Sequence, residues 1–344
     1  MSKVFVGISG GVDSAVSAAL LKERGHTVIG AFIKIWSPEF LECTWKEDRL
    51  DAMRVCAALQ IPFREVDLSD AYKKEVVGDM LEKYSSGSTP NPDVMCNQSI
   101  KFGHFARWAF ENGADMIATG HYARVREVNG AHQLVRAADT NKDQTYFLYR
   151  ISQNILSRTL FPVGEFTKPQ VRELAQKFDL PNAKRPDSQG LCFVGDVSMK
   201  DFLGRFIELR PGPVVNEEGQ TIGTHSGAAL YTAGERHGFT AKGSRVQYVV
   251  SVDIAQNTIY VSENREKAAK LSAHVSDMHW IGAEKSTPFS ALAQARYREK
   301  PFEVTFTNES GSALAAFREP HIPARGQSLV LYDGEVCLGG GVIK

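Results

Sequence analysis

A chain of 344 residues is too long for one compact core and implies two or three domains. With 43% apolar and 23% charged residues the composition is that of a soluble globular protein, and no run approaches the about 18 consecutive apolar residues that read as a membrane span. Lys plus Arg balances Asp plus Glu at 40 each, so bulk charge neither supports nor excludes nucleic-acid binding, whose footprint is a local basic patch.

Met1 to Val6 carries no basic, apolar and small-residue leader pattern, which makes the cytoplasm the expected location. Val4 to Ile8 reads as a buried strand. Ser14 to Arg24 is a helix, stopped by Gly25. Val28 to Ile35 is a second strand, Asp48 to Leu59 a helix, Phe63 to Leu68 a third strand and Ala71 to Tyr84 a helix. Ser85 to Gln98, with its Ser, Gly, Pro and Asn, reads as a long loop. Ile100 to Glu111 is a helix and Met116 to Thr119 a fourth strand. Asn129-Gly130 marks a hairpin turn, and Lys168 to Phe178 is a later helix with Pro169 near its start. The alternation predicts an α/β, doubly wound parallel sheet. Beyond Arg210, short β-branched runs separated by Gly, Asn and Pro (Val214-Val215, Gln220 to Gly223, Tyr248 to Val252, Thr258 to Val261), then a β-rich stretch from 273 to 344, predict one or two small β-domains, a central β-rich one and a C-terminal β-barrel. The expected division is 1–200, 201–272 and 273–344.

Between the first strand and first helix stands Ser9-Gly10-Gly11-Val12-Asp13-Ser14. Two glycines let the backbone bend around an anion, the helix N-terminus offers free N–H groups, and two serines add hydroxyls. A phosphate is the natural occupant. The segment is neither G-x-x-x-x-G-K-[ST] nor G-x-G-x-x-G, and it lacks a P-loop lysine, so γ-phosphoryl transfer fits poorly. The five cysteines, Cys43, Cys56, Cys96, Cys192 and Cys337, are odd in number and form no C-x-x-C pair. A disulfide scaffold or zinc ribbon is therefore poorly supported, and no metal ligands are assigned. Cys56 and Cys337 lie in apolar patterns and read as core. Cys96 and Cys192 sit in Gly- or Pro-rich segments read as loops, where a thiol can react.

Ser9 to Ser14 resembles the pyrophosphate loop of the ATP pyrophosphatases. Within them the chain resembles the bacterial tRNA-specific 2-thiouridylases over almost its whole length. Thr89 to Asn97 resembles T-P-N-P-D-x-x-C-N, and Gly120-His121-Tyr122 follows the fourth strand as the family's A-T-G-H-Y does. Asn141 to Leu148 resembles N-K-D-Q-[ST]-Y-F-L, Asp187 to Phe193 resembles D-S-x-G-[IL]-C-F, and Gly334 to Gly341 matches the family's end.

The resemblance implies an adenine nucleotide alpha-hydrolase-like first domain and a cytoplasmic enzyme that turns a wobble uridine of tRNA into 2-thiouridine. ATP, with Mg2+, would bind on Gly7, Ile8, Ser9, Gly10, Gly11, Val12, Asp13 and Ser14, with Ile33 and Gly120 beside it. Cys192 would carry a persulfide from an upstream donor protein, Cys96 would be the nucleophile that ends in a disulfide with Cys192, and Asp93 would move protons. Asn91, Pro92 and Asp93 would meet the flipped base of the anticodon loop. His121, Lys142, Asp143, Gln144, Arg296, Tyr297 and Gln327 would contact tRNA. Ile33 stands where the family often has Met, and Glu235 where it usually has Gln; Glu235 is left out of the site because a carboxylate repels phosphate. Two rivals are a ligase or amidotransferase using the same loop without paired cysteines, and a non-catalytic tRNA-binding protein that keeps the fold.

Overall fold

The computed structural model describes residues 1–40, 45–186, 197–241, 245–309 and 312–344. Strands β1 (Lys3–Gly7), β2 (Thr27–Lys34), β3 (Phe63–Asp67) and β4 (Met116–Ala118) alternate with helices α1 (Val12–Glu23) and α2 (Trp45–Ala58), and with two longer helical segments. One runs as α3 (Ser69–Tyr72), a wider π-type stretch (Lys73–Gly78) and α4 (Asp79–Ser85). The other runs as α5 (Pro92–Met95), a π-type stretch (Cys96–Phe105) and α6 (Ala106–Glu111). With β7 (Thr159–Leu160) the strands form a sheet of order β3-β2-β1-β4-β7, parallel throughout, as the alternation predicts. The strand order reverses beside β1, and ligands of such sheets sit at the carboxyl ends of the strands at that reversal. The Ser9–Ser14 loop leaves β1 there.

The rest of the chain departs from an all-local reading in one respect. The hairpin β5 (Arg124–Val128) and β6 (Ala131–Val135) forms around Asn129-Gly130, both at positive φ as a type I′ turn needs. It does not join the parallel sheet. It pairs with β18 (Val336–Ile343) at the far end of the chain, through Val135 to Val336 and Leu134 to Cys337. β13 (Lys270–Trp280), β14 (Phe289–Gln294), β15 (Phe302–Glu309), β16 (Ser312–His321), β17 (Ser328–Asp333) and β18 close into a six-stranded barrel through the β13–β18 pairing. A smaller five-stranded sheet lies between: β8 (Gly212–Val215), β9 (Thr221–His225), β10 (Thr240–Ala241), β11 (Tyr248–Asp253) and β12 (Thr258–Ser262). Among the described residues no helix is long and apolar enough to cross a membrane.

Two cores flank the parallel sheet. Against one face, α1, α2 and α7 (Lys168–Lys177) bury Val16, Leu20, Val55, Cys56 and Val171. The other core is shared between domains: Phe5, Ile117 and Phe105 of the first domain lie in one cluster with Leu134 of the hairpin and with Val330, Tyr332 and Cys337 of the barrel. The barrel is therefore fused to the first domain by apolar burial as well as by strand pairing.

Candidate active site

The loop after β1 has the shape the sequence predicts. Gly10 takes φ 79°, a left-handed conformation open to glycine at little cost. Ser14 donates through Oγ to the Gly11 carbonyl at 3.0 Å and accepts from the Ser9 N–H at 3.3 Å, which closes the loop on itself. Gly11 caps α1 without a side-chain bond, so the first-turn N–H groups keep their capacity for an anion. Ser9 is exposed at the tip. Ile33 is half-buried at the end of β2, 3.7 Å from where a side chain on Gly7 would begin.

Remote residues brace the loop. Asn182 donates to the Gly10 carbonyl at 2.7 Å, and Arg185 pairs with Asp51 at 2.7 Å and with Asp48 on α2. Lys168, at the start of α7, reaches the Asp13 carboxylate at 2.7 Å, and the Tyr122 hydroxyl donates to the same oxygen at 2.9 Å. The loop has no lysine of its own, but the fold brings one to it. Sequence reading missed this, since the signal is only a Lys at a helix start far along the chain. Arg185 thus stands behind the phosphate loop.

Gly120 joins this loop to the rest of the site. A Cβ there would lie 2.6 Å from the Ser14 nitrogen, so only glycine lets the end of β4 rest on the start of α1. Gly120 thus packs on the loop backbone itself. Next to it, His121 is buried between Phe102 and Phe161. Its Nδ1 lies 2.7 Å from Thr119 Oγ1 and its Nε2 lies 3.4 Å from Lys101 Nζ. Burial, and then repulsion from Lys101, hold the imidazole well below its usual range, so it is neutral. Lys101 also acts on Asp93: burial pushes that carboxyl up and the ammonium partly offsets it. A carboxyl raised in this way keeps its proton to higher pH than an ordinary aspartate.

Here the structure corrects the predicted loop from Ser85 to Gln98. Asn91 caps a helix, its Oδ1 accepting from the Val94 N–H at 3.4 Å, with Pro92 as the first helical residue. Asp93 is in the first turn. Cys96 opens the π-type stretch, 6% exposed, among Tyr72, Val76, Met80, Ile100, Phe202 and Leu203. It lies on an apolar helix face, not on a loop. Wider turns of this type recur at functional sites. Cys56 and Cys337 are buried, as their patterns predict, and burial pushes their thiols up to about 11 and about 12. Cys192 and Cys43 lie outside the described residues. The flanks of Cys192 do not: Arg185 ends at the phosphate loop, while Val197 and Met199 pack against the cluster that holds Cys96.

The remaining predicted tRNA contacts divide. Asp143 is buried. It takes Arg136 at 2.8 Å, the Thr145 hydroxyl at 2.8 Å and the Ala137 N–H at 3.0 Å, which leaves no carboxylate for an external partner. Gln144 accepts from the Tyr122 N–H at 2.9 Å, and the Tyr146 hydroxyl donates to the Ala295 and Ser328 carbonyls of the barrel. Lys142 stays half-exposed beside them. Arg296 donates to the Ala233 carbonyl at 3.1 Å, and Tyr297 leans on Phe147 with ring centroids 4.5 Å apart, next to exposed Arg298 and Lys300. Gln327 binds the chain itself, donating to the Thr89 and Pro90 carbonyls at 2.9 and 3.1 Å. Glu235 is exposed. Among the described residues no three His, Cys, Asp or Glu side chains cluster as metal ligands.

Three family models cover the chain almost end to end: a tRNA methyl transferase HUP domain over residues 2–196, a tRNA methyl transferase PRC-barrel domain over 200–263, and an aminomethyltransferase β-barrel domain over 271–343. The tRNA-specific 2-thiouridylase MnmA of Ralstonia pickettii is 45% identical over 354 residues, spanning 99% of this chain and 96% of that protein. Its counterpart from Cupriavidus metallidurans is 44% identical over 355 residues, spanning 99% of each. The chain belongs to the tRNA-specific 2-thiouridylase family. Among solved structures, a 4-thiouridine synthetase in complex with RNA and ATP aligns over 59% of this chain and 50% of that one, at 17% identity and a TM-score of 0.37.

Proposed function

We propose that the protein is a tRNA-uridine 2-sulfurtransferase: ATP adenylates the C2 oxygen of the wobble uridine, and sulfur from a cysteine persulfide then displaces AMP, giving 2-thiouridine, AMP and pyrophosphate. One observation carries this reading. A phosphate loop at the strand-order reversal is joined, through Gly120, His121 and Lys101, to a helix end that holds Asp93 and Cys96. Nucleotide chemistry and thiol chemistry thus share one edge of the sheet. Methyl transfer, named in two of the family models' descriptions, releases no pyrophosphate and gives a phosphate loop no task.

The residues take these roles. The N–H groups at the start of α1 and the exposed Ser9 hydroxyl hold the phosphates, Ser14 shapes the loop through its bonds to Gly11 and Ser9, and Lys168 stands at the edge of the loop on Asp13. Ile33 and Gly7 border the space for the adenine. Mg2+ would arrive with the triphosphate and stay bound mainly by phosphate and water, as that cation prefers; Asp13 is the carboxylate at the loop. Asn91, Pro92 and Asp93 face the base, which an anticodon loop already holds unpaired. Cys96 and Cys192 form the sulfur-transfer pair, with a donor protein loading Cys192 and a disulfide between the two as the spent state. Arg296 and Tyr297, with Arg298 and Lys300, form a basic and aromatic rim for the RNA.

The test is reconstitution with unmodified tRNA, MgATP and a persulfide source, following AMP and 2-thiouridine by mass spectrometry for wild type, Cys96→Ser and Cys192→Ser. Thiolation by the wild type and its loss in both variants is the expected result. Tight tRNA binding without thiolated uridine or AMP would leave a binding protein. Thiolation that persists in both variants would keep the function and remove the cysteine roles.

A further inference from the structure

The segment before the reacting helix is held from two other domains. Thr89 donates its N–H to the Arg325 carbonyl at 2.9 Å, and its hydroxyl meets the Thr232 hydroxyl of the central domain at 2.8 Å. The Gln327 amide spans the Thr89 and Pro90 carbonyls from the barrel side. A primary amide has two N–H donors, and both are spent here. Gln327 therefore offers no donor to a phosphate as it stands. The next residues are Asn91, the helix cap, then Pro92 and Asp93, with Cys96 one turn further on. Proline fixes its own φ, so a displacement of Pro90 passes along a short, stiff connection into the capped helix end.

We infer that Gln327 and Thr232 are positioning residues for the thiolation step: they fix Thr89-Pro90 and thereby set where Asp93 and Cys96 stand. The inference rests on the sulfurtransferase reading. It gives Gln327 a task within the chain, where the resemblance implies a tRNA contact. It also gives the β-domains a second task, because a tRNA that shifts the barrel or the central domain moves the two ends of this clamp.

The test uses the full-length protein and three variants, Gln327→Ala, Thr232→Val and Thr232→Ser. Loss of a contact that aligns reacting groups slows the step at saturating tRNA by about ten- to a hundredfold. Single-turnover thiolation should therefore fall by that factor in Gln327→Ala, and to a smaller extent in Thr232→Val, while the Kd for tRNA changes less than about twofold. Thr232→Ser, which keeps the hydroxyl, should restore the wild-type rate. A readout independent of activity accompanies this: alkylation of Cys96, followed at its own peptide, should speed up in Gln327→Ala and Thr232→Val, while that of buried Cys56 and Cys337 stays slow. Faster labelling of all three thiols would mean general unfolding and would overturn the inference. So would a rise in tRNA Kd matching the loss of rate, with the saturated rate intact, which is the signature of a direct RNA contact. If the wild type fails to thiolate, the sulfurtransferase reading falls, while the labelling comparison still reports on the clamp.

Discussion

Ser9–Ser14 and Asn141–Leu148 are equally dense motifs, yet they do opposite things with their polar groups. In the first, the helix start stays uncapped by any side chain, Ser9 is exposed, and the supports come from behind: Asn182 and Arg185 on the Gly10 side, Lys168 and Tyr122 on Asp13. In the second, Asp143, Gln144, Thr145 and Tyr146 turn inward, and their bonds end on Arg136, Tyr122, Tyr332 and the barrel carbonyls. The first motif is kept open for a ligand. The second joins the hairpin, the parallel sheet and the barrel. A recognisable stretch of sequence does not say which of these it is; whether the fold has already used its donors and acceptors does.

The largest effect should come from breaking the joining motif. Arg136→Met leaves the Asp143 carboxylate buried without its cation, and loss of one partner from a buried pair costs roughly 3–5 kcal/mol. Urea unfolding should show a lower midpoint, and no ATP dependence should rescue it, since the phosphate loop is untouched. A near-wild-type midpoint would mean that Asp143 is wet and free to meet RNA after all.

Next is Gly120→Ala. Its Cβ would press on the Ser14 nitrogen and the Asp13 carbon, so the loop must move. ATP-dependent AMP formation should fall on the order of a hundredfold, as misplacement by about 1 Å can cause. Unfolding should shift far less than in Arg136→Met. Equal losses of stability in the two variants would erase the distinction between an open site and a joint.

The smallest effect concerns pH. Burial first, opposed by Lys101, holds the Asp93 carboxyl above its ordinary value. The folded state therefore binds this proton more tightly than the unfolded chain does. Its contribution to stability is complete below the unfolded pKa of about 3.9 and is lost as pH rises through the raised folded value. If Asp93 works as a base, the acid limb of kcat/KM lies above the ordinary aspartate range. Lys101→Met removes the offset and should move that limb to higher pH, and Asp93→Asn should abolish it. A limb indifferent to both variants would remove Asp93 from proton transfer.

Sequence periodicity revealed the parallel sheet, its helices and the Asn129-Gly130 turn, because these depend on neighbours within a few residues. It misplaced the start of the helix that bears Cys96. Asn91-Pro92-Asp93 reads as a turn, yet Asn followed by Pro is also the cap and first residue of a helix, and packing against Tyr72 and Phe202 selects the second reading. β7 has two residues and carries no period. The supports of the phosphate loop were invisible for another reason: Lys168, Asn182 and Arg185 act through tertiary contacts, and nothing local marks them. The same holds for Gln327, whose partners lie at Thr89 and Pro90.

The hairpin that ends at Val135 finds its pairing edge only at Val336. During synthesis β6 leaves the ribosome with one edge unpaired and waits for the rest of both β-domains to be made. An open strand edge is a template for wrong partners. The growing chain must therefore keep that edge protected for most of its translation, and the first domain is complete only once the barrel has closed.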